Sequence, residues 1–217
     1  MRDNARKLAK DARQRRQSGD LLEAANRYTA AAHEYAGTVT EHVFPGSDST
    51  VAALGALLSA TTCYRIGGDT FRTQNRCDLG IVLAEEYIKY IEETDLDENS
   101  FADFRRGAWS EFIGDLRTIA RRDDAKTAYD DAIAIYRAAG DEKFVFGEKE
   151  HMRLAAFLRG VRRGLGHDIP QDAPEQQPWD GPLFSEWVEY KRETLPDLLV
   201  ELEAQGTWPR PIDPETE

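Results

Sequence analysis

The stretch DLLEAANRYTAAAHEYA, residues 20–36, decides the fold class. Ala24, Tyr28 and Ala31 follow one another at spacings of four and three, which places them on one face of a helix with 3.6 residues per turn. No period-two alternation of the kind a strand requires competes with that pattern. Gly19 and Asp20 stand immediately before it. A glycine can close a preceding helix in the left-handed conformation, and an acid after it suits the amino end of the next helix. The same Gly-Asp pair returns at Gly68-Asp69 and Gly140-Asp141. Working outward from these junctions, the periodicity predicts helices over 3–17, 20–36, 49–66, 70–93, 100–120, 123–139, 142–165 and 183–204. The class is all-α, and helices joined this tightly form antiparallel hairpins.

The chain has 217 residues, enough for a core that needs neither disulfide nor structural metal. Its two cysteines, Cys63 and Cys77, are read as reduced, buried thiols. Forty acids against 28 bases leave a formal charge of -12, and 21 of the bases are Arg against 7 Lys. An acidic, lysine-poor composition is what we expect of a protein from very salty cytoplasm, so a halophilic archaeal origin is expected. The opening MRDNARKLAK lacks the apolar run of a secretory signal, and no stretch approaches the roughly 20 apolar residues that span a bilayer. The cytoplasm is the expected compartment.

Laid over one another, the hairpins repeat. Leu8 precedes Ala24-x3-Tyr28-x2-Ala31 by sixteen residues, and Trp109 precedes Ala125-x3-Tyr129-x2-Ala132 by the same sixteen. A third copy begins at Leu57, with Thr73, Cys77 and Gly80 in the equivalent places. A large apolar residue on the first helix, then Ala, an aromatic and Ala on one face of the second, resembles the tetratricopeptide repeat (TPR). The copies stand 49 and 52 residues apart, against 34 in that family, and the family's closing Pro is missing. The reading is therefore of TPR-like hairpins lengthened by insertions at 37–47 and 93–100. The resemblance implies a right-handed superhelix of about three hairpins, with Tyr28, Ala31, Tyr129 and Ala132 buried and Trp109 packed near Ala125 and Tyr129. A non-repetitive helical bundle is the competing all-α arrangement.

The helix over 142–165 is expected to cover the last hairpin, because the end of a solenoid needs a cover. The division that follows is a repeat domain over 1–165, a Pro/Gln/Asp-rich linker over 166–182 and a helical segment with an acidic tail over 183–217. Phe184, Trp187 and Trp208 favour docking of that last segment on the body of the chain, with a detachable arm for a partner as the alternative. Pro196 is expected to break or restart its helix.

Chemistry-bearing patterns are sparse. Glu148 and His151 form one E-x-x-H at i, i+3, half of a di-metal carboxylate motif with no second half in the chain, so no metal site and no cofactor are assigned. Two R-x4-6-H strings, Arg27 to His33 and Arg162 to His167, resemble the string of HEPN-type ribonucleases. Five or six helical residues turn the two side chains about 120 to 140° apart, which fits that resemblance poorly. No phosphate-binding glycine loop or nucleophile elbow is present, and the chain is read as non-catalytic.

Charge is more informative. Residues 1–18 hold seven bases and two acids, so the remainder carries -17. Arginines also stand near the ends of the first helices and of the covering helix: Arg15 and Arg16, Arg65, Arg121 and Arg122, Arg162 and Arg163. In a solenoid such equivalent positions line one edge, and guanidinium forks grip carboxylates. The expected function is a protein-interaction module or scaffold whose groove, lined by the first helices of the hairpins, receives a protein or peptide segment. Its occupant is an acidic partner or the chain's own acidic tail, with the arginine row as the docking strip. The competing readings are a HEPN-like ribonuclease and a nucleic-acid-associated regulator using the basic amino-terminal helix. The field of the whole chain disfavours nucleic acid.

Overall fold

The computed structural model describes residues 2–37, 48–93, 101–141, 149–169, 173 and 183–208. Among them are eight helices and no strand: α1 (Arg2–Gln17), α2 (Leu21–Ala36), α3 (Asp48–Ile66), α4 (Thr70–Glu93), α5 (Phe101–Ile119), α6 (Ala125–Ala138), α7 (Lys149–Gly164) and α8 (Phe184–Gln205). Helices α1 to α6 pack each on the next in chain order, and the first helices of successive hairpins also touch, α1 on α3 and α3 on α5.

The junctions follow from backbone chemistry. Gly19, Gly68 and Gly140 have φ of 84°, 77° and 98°, a region that costs a residue with a Cβ. At each, the N–H three residues past the helix donates to the carbonyl five residues before it, Asp20 to Arg15, Asp69 to Tyr64 and Asp141 to Tyr136. The acids that follow differ in use. Asp69 Oδ1 accepts from the N–H of Arg72 and caps α4, whereas Asp20 makes no side-chain cap bond. Asp141 accepts from the N–H and hydroxyl of Ser185 and so caps α8, 44 residues on.

The expected repeat residues Tyr28, Ala31, Leu57, Cys77, Trp109, Tyr129 and Ala132 are all buried, as is Ala24, while Leu8 and Ala125 are only half-buried. Trp109 does not sit near Ala125. Gly107 faces Tyr136 and Gly114 faces Tyr129, where a Cβ would come within 2.4 and 2.6 Å of the rings. That pairing puts Ala125 level with Thr118, nine residues and about 13 Å along the axis from Trp109. Trp109 instead stacks on Tyr87 of α4, with ring centroids 4.8 Å apart and planes within 9°. The large residue of the first helix thus packs toward the preceding hairpin.

Helices α7 and α8 also differ from expectation. α7 lies against α3, α5 and α8, and the end of the last hairpin is covered by α8, which packs on α6 and α5. Pro196 sits inside an unbroken α8. Buried residues on both sides of it, Lys191 and Leu195 before, Leu198 and Leu202 after, hold the helix across the lost hydrogen bond. α5 touches α3, α4, α6, α7 and α8, and residues 107–116 are buried without a break. No helix among the described residues is long and apolar enough to cross a membrane.

Candidate partner-binding groove

A cleft runs between α1 and α7 over a floor of α3. Its floor is cut by small side chains at helical spacing, Ala52, Gly55, Ala56 and Ser59. Two adjoining cavities of about 470 and 590 Å³ share Tyr35, Ala52, Arg153 and Ala156 and so form one trough. One wall is α1, whose Arg6, Arg13 and Arg16, at i, i+7 and i+10, fall on one face. The other is α7, which contributes Lys149 and Arg153. Among the described residues no carboxylate lines either cavity.

Gly55 is the reason Arg153 reaches the floor: a Cβ there would stand 2.6 Å from Arg153 Cδ. Trp208 closes the far end. It is buried, donates Nε1–H to the carbonyl of Gly160 at 3.0 Å, and carries the Arg16 guanidinium over its ring at 4.3 Å. Gly164 leaves room for the indole, because a Cβ there would meet Cδ1 at 2.4 Å. Tyr28 of α2 lines the same cavity, and burial raises its hydroxyl above the usual range, against the lowering pull of Arg16.

The arginine row of the sequence analysis is dispersed. Arg16 enters the groove. Arg15 pairs with Asp11 and Asp20, and Arg122 with Asp78. Arg65 is buried; it donates Nε–H to Glu203 at 3.2 Å and Nη1–H to the carbonyls of Thr118 and Ile119, while Arg121 meets the same Glu203. Burial lowers the Arg65 guanidinium, and Glu203 opposes that shift. Arg162 is buried and donates to the hydroxyl of Tyr190 at 2.6 Å; Arg163 is exposed. An acid of α8 therefore already grips the middle of the row, and the acidic tail over 209–217 lies outside the described residues.

The second polar constellation is internal. Lys191 of α8 contacts Glu111 Oε1 at 2.8 Å and Asp115 Oδ2 at 2.6 Å on α5, with all three side chains at 0% exposure. Tyr129 donates its hydroxyl to Asp115 Oδ1 at 2.8 Å, and Trp187 donates Nε1–H to Glu111 Oε1 at 3.1 Å. Burial raises the Asp115 carboxyl to about 7 although Lys191 pulls it down. For Lys191, burial acts downward but is outweighed by Asp115 and Glu111, so its ammonium is held above the ordinary range. In this dry interior, burial together with the neighbouring Glu111 outweighs the pull of Lys191 and holds the Asp115 carboxyl above the ordinary carboxylate range. His151 is buried nearby, bonded through Nε2 to the hydroxyl of Tyr136 at 2.9 Å, and burial, helped by Lys191, pushes it down to about 3.

Of the motifs singled out in the sequence, Glu148 lies outside the described residues. Among those described, no group of three His, Cys, Asp or Glu is placed to hold a metal. Neither Arg-His string converges: Arg27 pairs with Asp11 and Glu23 while His33 is exposed, and Arg162 bonds Tyr190 while His167 pairs with Glu201 at 2.9 Å. Burial raises both thiols, Cys63 and Cys77, to about 12.

Sequence reasoning missed Arg6, Arg13 and Arg153 as groove residues, although the 6-13-16 spacing on a basic helix was a readable signal. It also missed Lys191. Phe184, Trp187, Val188, Lys191 and Leu195 form one stripe, and an ionisable residue within an apolar stripe marks a buried partner. No protein-family model, curated protein or solved structure matches this chain.

Proposed function

We propose that the chain is a non-catalytic protein-interaction module, a TPR-like right-handed superhelix of three hairpins (α1–α2, α3–α4, α5–α6) whose concave face binds an acidic segment of a protein partner. The packing order supports this: each second helix meets the next first helix, and the first helices meet one another, as superhelical stacking of hairpins requires. On this reading α7 and α8, which lie on α3 and α5, fill the later half of the concave face from within the chain, and the groove between α1 and α7 is the half left for a partner.

The observation that carries the proposal is the lining of that groove, which gathers Arg6, Arg13, Arg16, Lys149 and Arg153 with no carboxylate among the described residues, on a chain of net charge -12. Guanidinium forks suit carboxylates bidentately, and the aromatic rings of Tyr28, Tyr35 and Trp208 add apolar contact to an extended segment. A short acidic segment samples only the trough. A long nucleic acid would run beyond it onto the acidic surface, which repels phosphate.

The test is fluorescence anisotropy with a labelled glutamate peptide of about ten residues, beside an oligothymidylate of equal length. The peptide should bind, and Arg13→Gln with Arg153→Gln should weaken it at least about tenfold, or about 1.4 kcal/mol, with an unchanged melt. Binding of the oligonucleotide alone would replace this reading with the nucleic-acid one. RNA cleavage lost on His33→Ala or His167→Ala would replace it with the ribonuclease one.

A further inference from the structure

Among the described residues seven large apolar side chains are strongly exposed, and four stand on α4: Phe71 (76%), Leu79 (39%), Val82 (55%) and Tyr90 (38%). At 100° per residue the four lie within a sector of about 100°. That sector is opposite the face carrying Thr73, Cys77, Ala84 and Ile91, which is buried. α4 packs on α3 and α5.

The order along the stripe is aromatic, aliphatic, aliphatic, aromatic, and the spacings are eight, three and eight residues. It reads the same in both directions. A two-fold contact between identical chains has that requirement, because residue i must meet j while j meets i. We propose that the chain self-associates through α4, laid antiparallel on α4 of a second copy with the two-fold axis level with Gly80 and Ile81.

That register sets Phe71 against Tyr90 and Leu79 against Val82, each pair formed twice. The charges follow the same symmetry. Arg76, whose Nε has no hydrogen-bond partner among the described residues, comes next to Glu86 of the other copy, which lies near the centre of the sector, again twice. Arg72 comes level with Lys89, and each keeps a carboxylate of its own chain, Asp69 and Glu93 respectively. The antiparallel arrangement also opposes the two helix dipoles. From Phe71 to Tyr90 the stripe runs about 28 Å, so the contact falls at the small end of specific interfaces. The inference does not depend on the groove between α1 and α7.

Sedimentation velocity on the full chain tests it, from about 1 to 300 µM and in both dilute and molar KCl. The weight-average mass should rise from 24.5 kDa toward twice that value. Val82→Glu, which faces Leu79 across the axis, should move the midpoint at least about tenfold higher, with helical content unchanged. Under mild oxidation an equal mixture of Leu79→Cys and Val82→Cys chains should give a disulfide-linked pair, whereas Phe71→Cys alone should not, its two copies lying at opposite ends. A chain that stays monomeric over the whole range overturns the proposal and leaves the stripe to a different protein. A dimer insensitive to Val82→Glu, or one in which Phe71→Cys links to itself, overturns it equally.

Discussion

Lys191 Nζ on α8 stands 2.6 Å from Asp115 Oδ2 on α5, and neither side chain reaches solvent. The contact ties the carboxyl-terminal helix to the most enclosed helix of the molecule. An ammonium in that place is stable only because Asp115 and Glu111 face it together.

Lys191→Met should therefore be destabilising by about 3 to 5 kcal/mol, because two buried acids lose their cation. Adding Glu111→Gln and Asp115→Asn to that variant should recover a large part of the loss. Denaturant melts of the four chains check it; a single variant as stable as the wild type would show that the buried charges are not coupled.

The pH dependence has a definite sign at each buried group. Asp115 binds its proton up to about 7 in the folded chain, well above its unfolded value. The folded state holds the extra proton between about 4 and 7, so this group's contribution is present at low pH and lost as pH rises through that window. Asp115→Asn should flatten the fall, and the variant should gain about 2 to 4 kcal/mol on the wild type between those limits.

His151 acts in the opposite direction. Its folded value of about 3 lies below the unfolded one, so the unfolded chain binds more protons and stability falls as pH drops from about 6.5 toward 3. His151→Gln should blunt the acid side of the curve of melting temperature against pH, with less effect above pH 7.

Glycines on α5 and α7 separate packing from propensity. Gly107→Ala and Gly114→Ala drive a methyl into Tyr136 and Tyr129 and should cost about 1 to 3 kcal/mol. A Cβ added at Gly160 on α7 would meet nothing within 4 Å, so Gly160→Ala should be neutral or stabilise by up to about 1 kcal/mol. Equal melts for all three variants would contradict the close approach of α5 and α6.

With -12 net charge and few lysines, the melting temperature should be higher in molar KCl than in dilute buffer, because salt screens repulsion among the carboxylates. An unchanged or lower melt in KCl would remove the expectation of a salty cytoplasm.

The sequence by itself determined the helices and their junctions. Helical periodicity and left-handed glycines are local properties, so the helix ends meeting at Gly19 and Gly68 and the end of α6 before Gly140 were readable within a residue or two, whereas the expected start of the covering helix at 142 lies outside the described residues; the burial of Tyr28, Tyr129, Ala31 and Ala132 followed from the face they share. Tertiary structure alone decided what each face meets. Trp109 carries the same sixteen-residue offset whether it packs on α6 or on α4, and only the seating of Tyr129 and Tyr136 over Gly114 and Gly107 sets the level of the two helices. The arginines show the same division. Their places on helices were visible in the chain, but whether a guanidinium lines an open groove, as Arg13 does, or is held by Glu203, as Arg65 is, depends on a helix more than a hundred residues away. Long-range electrostatic pairing has no period, and that is why the linear sequence could not display it.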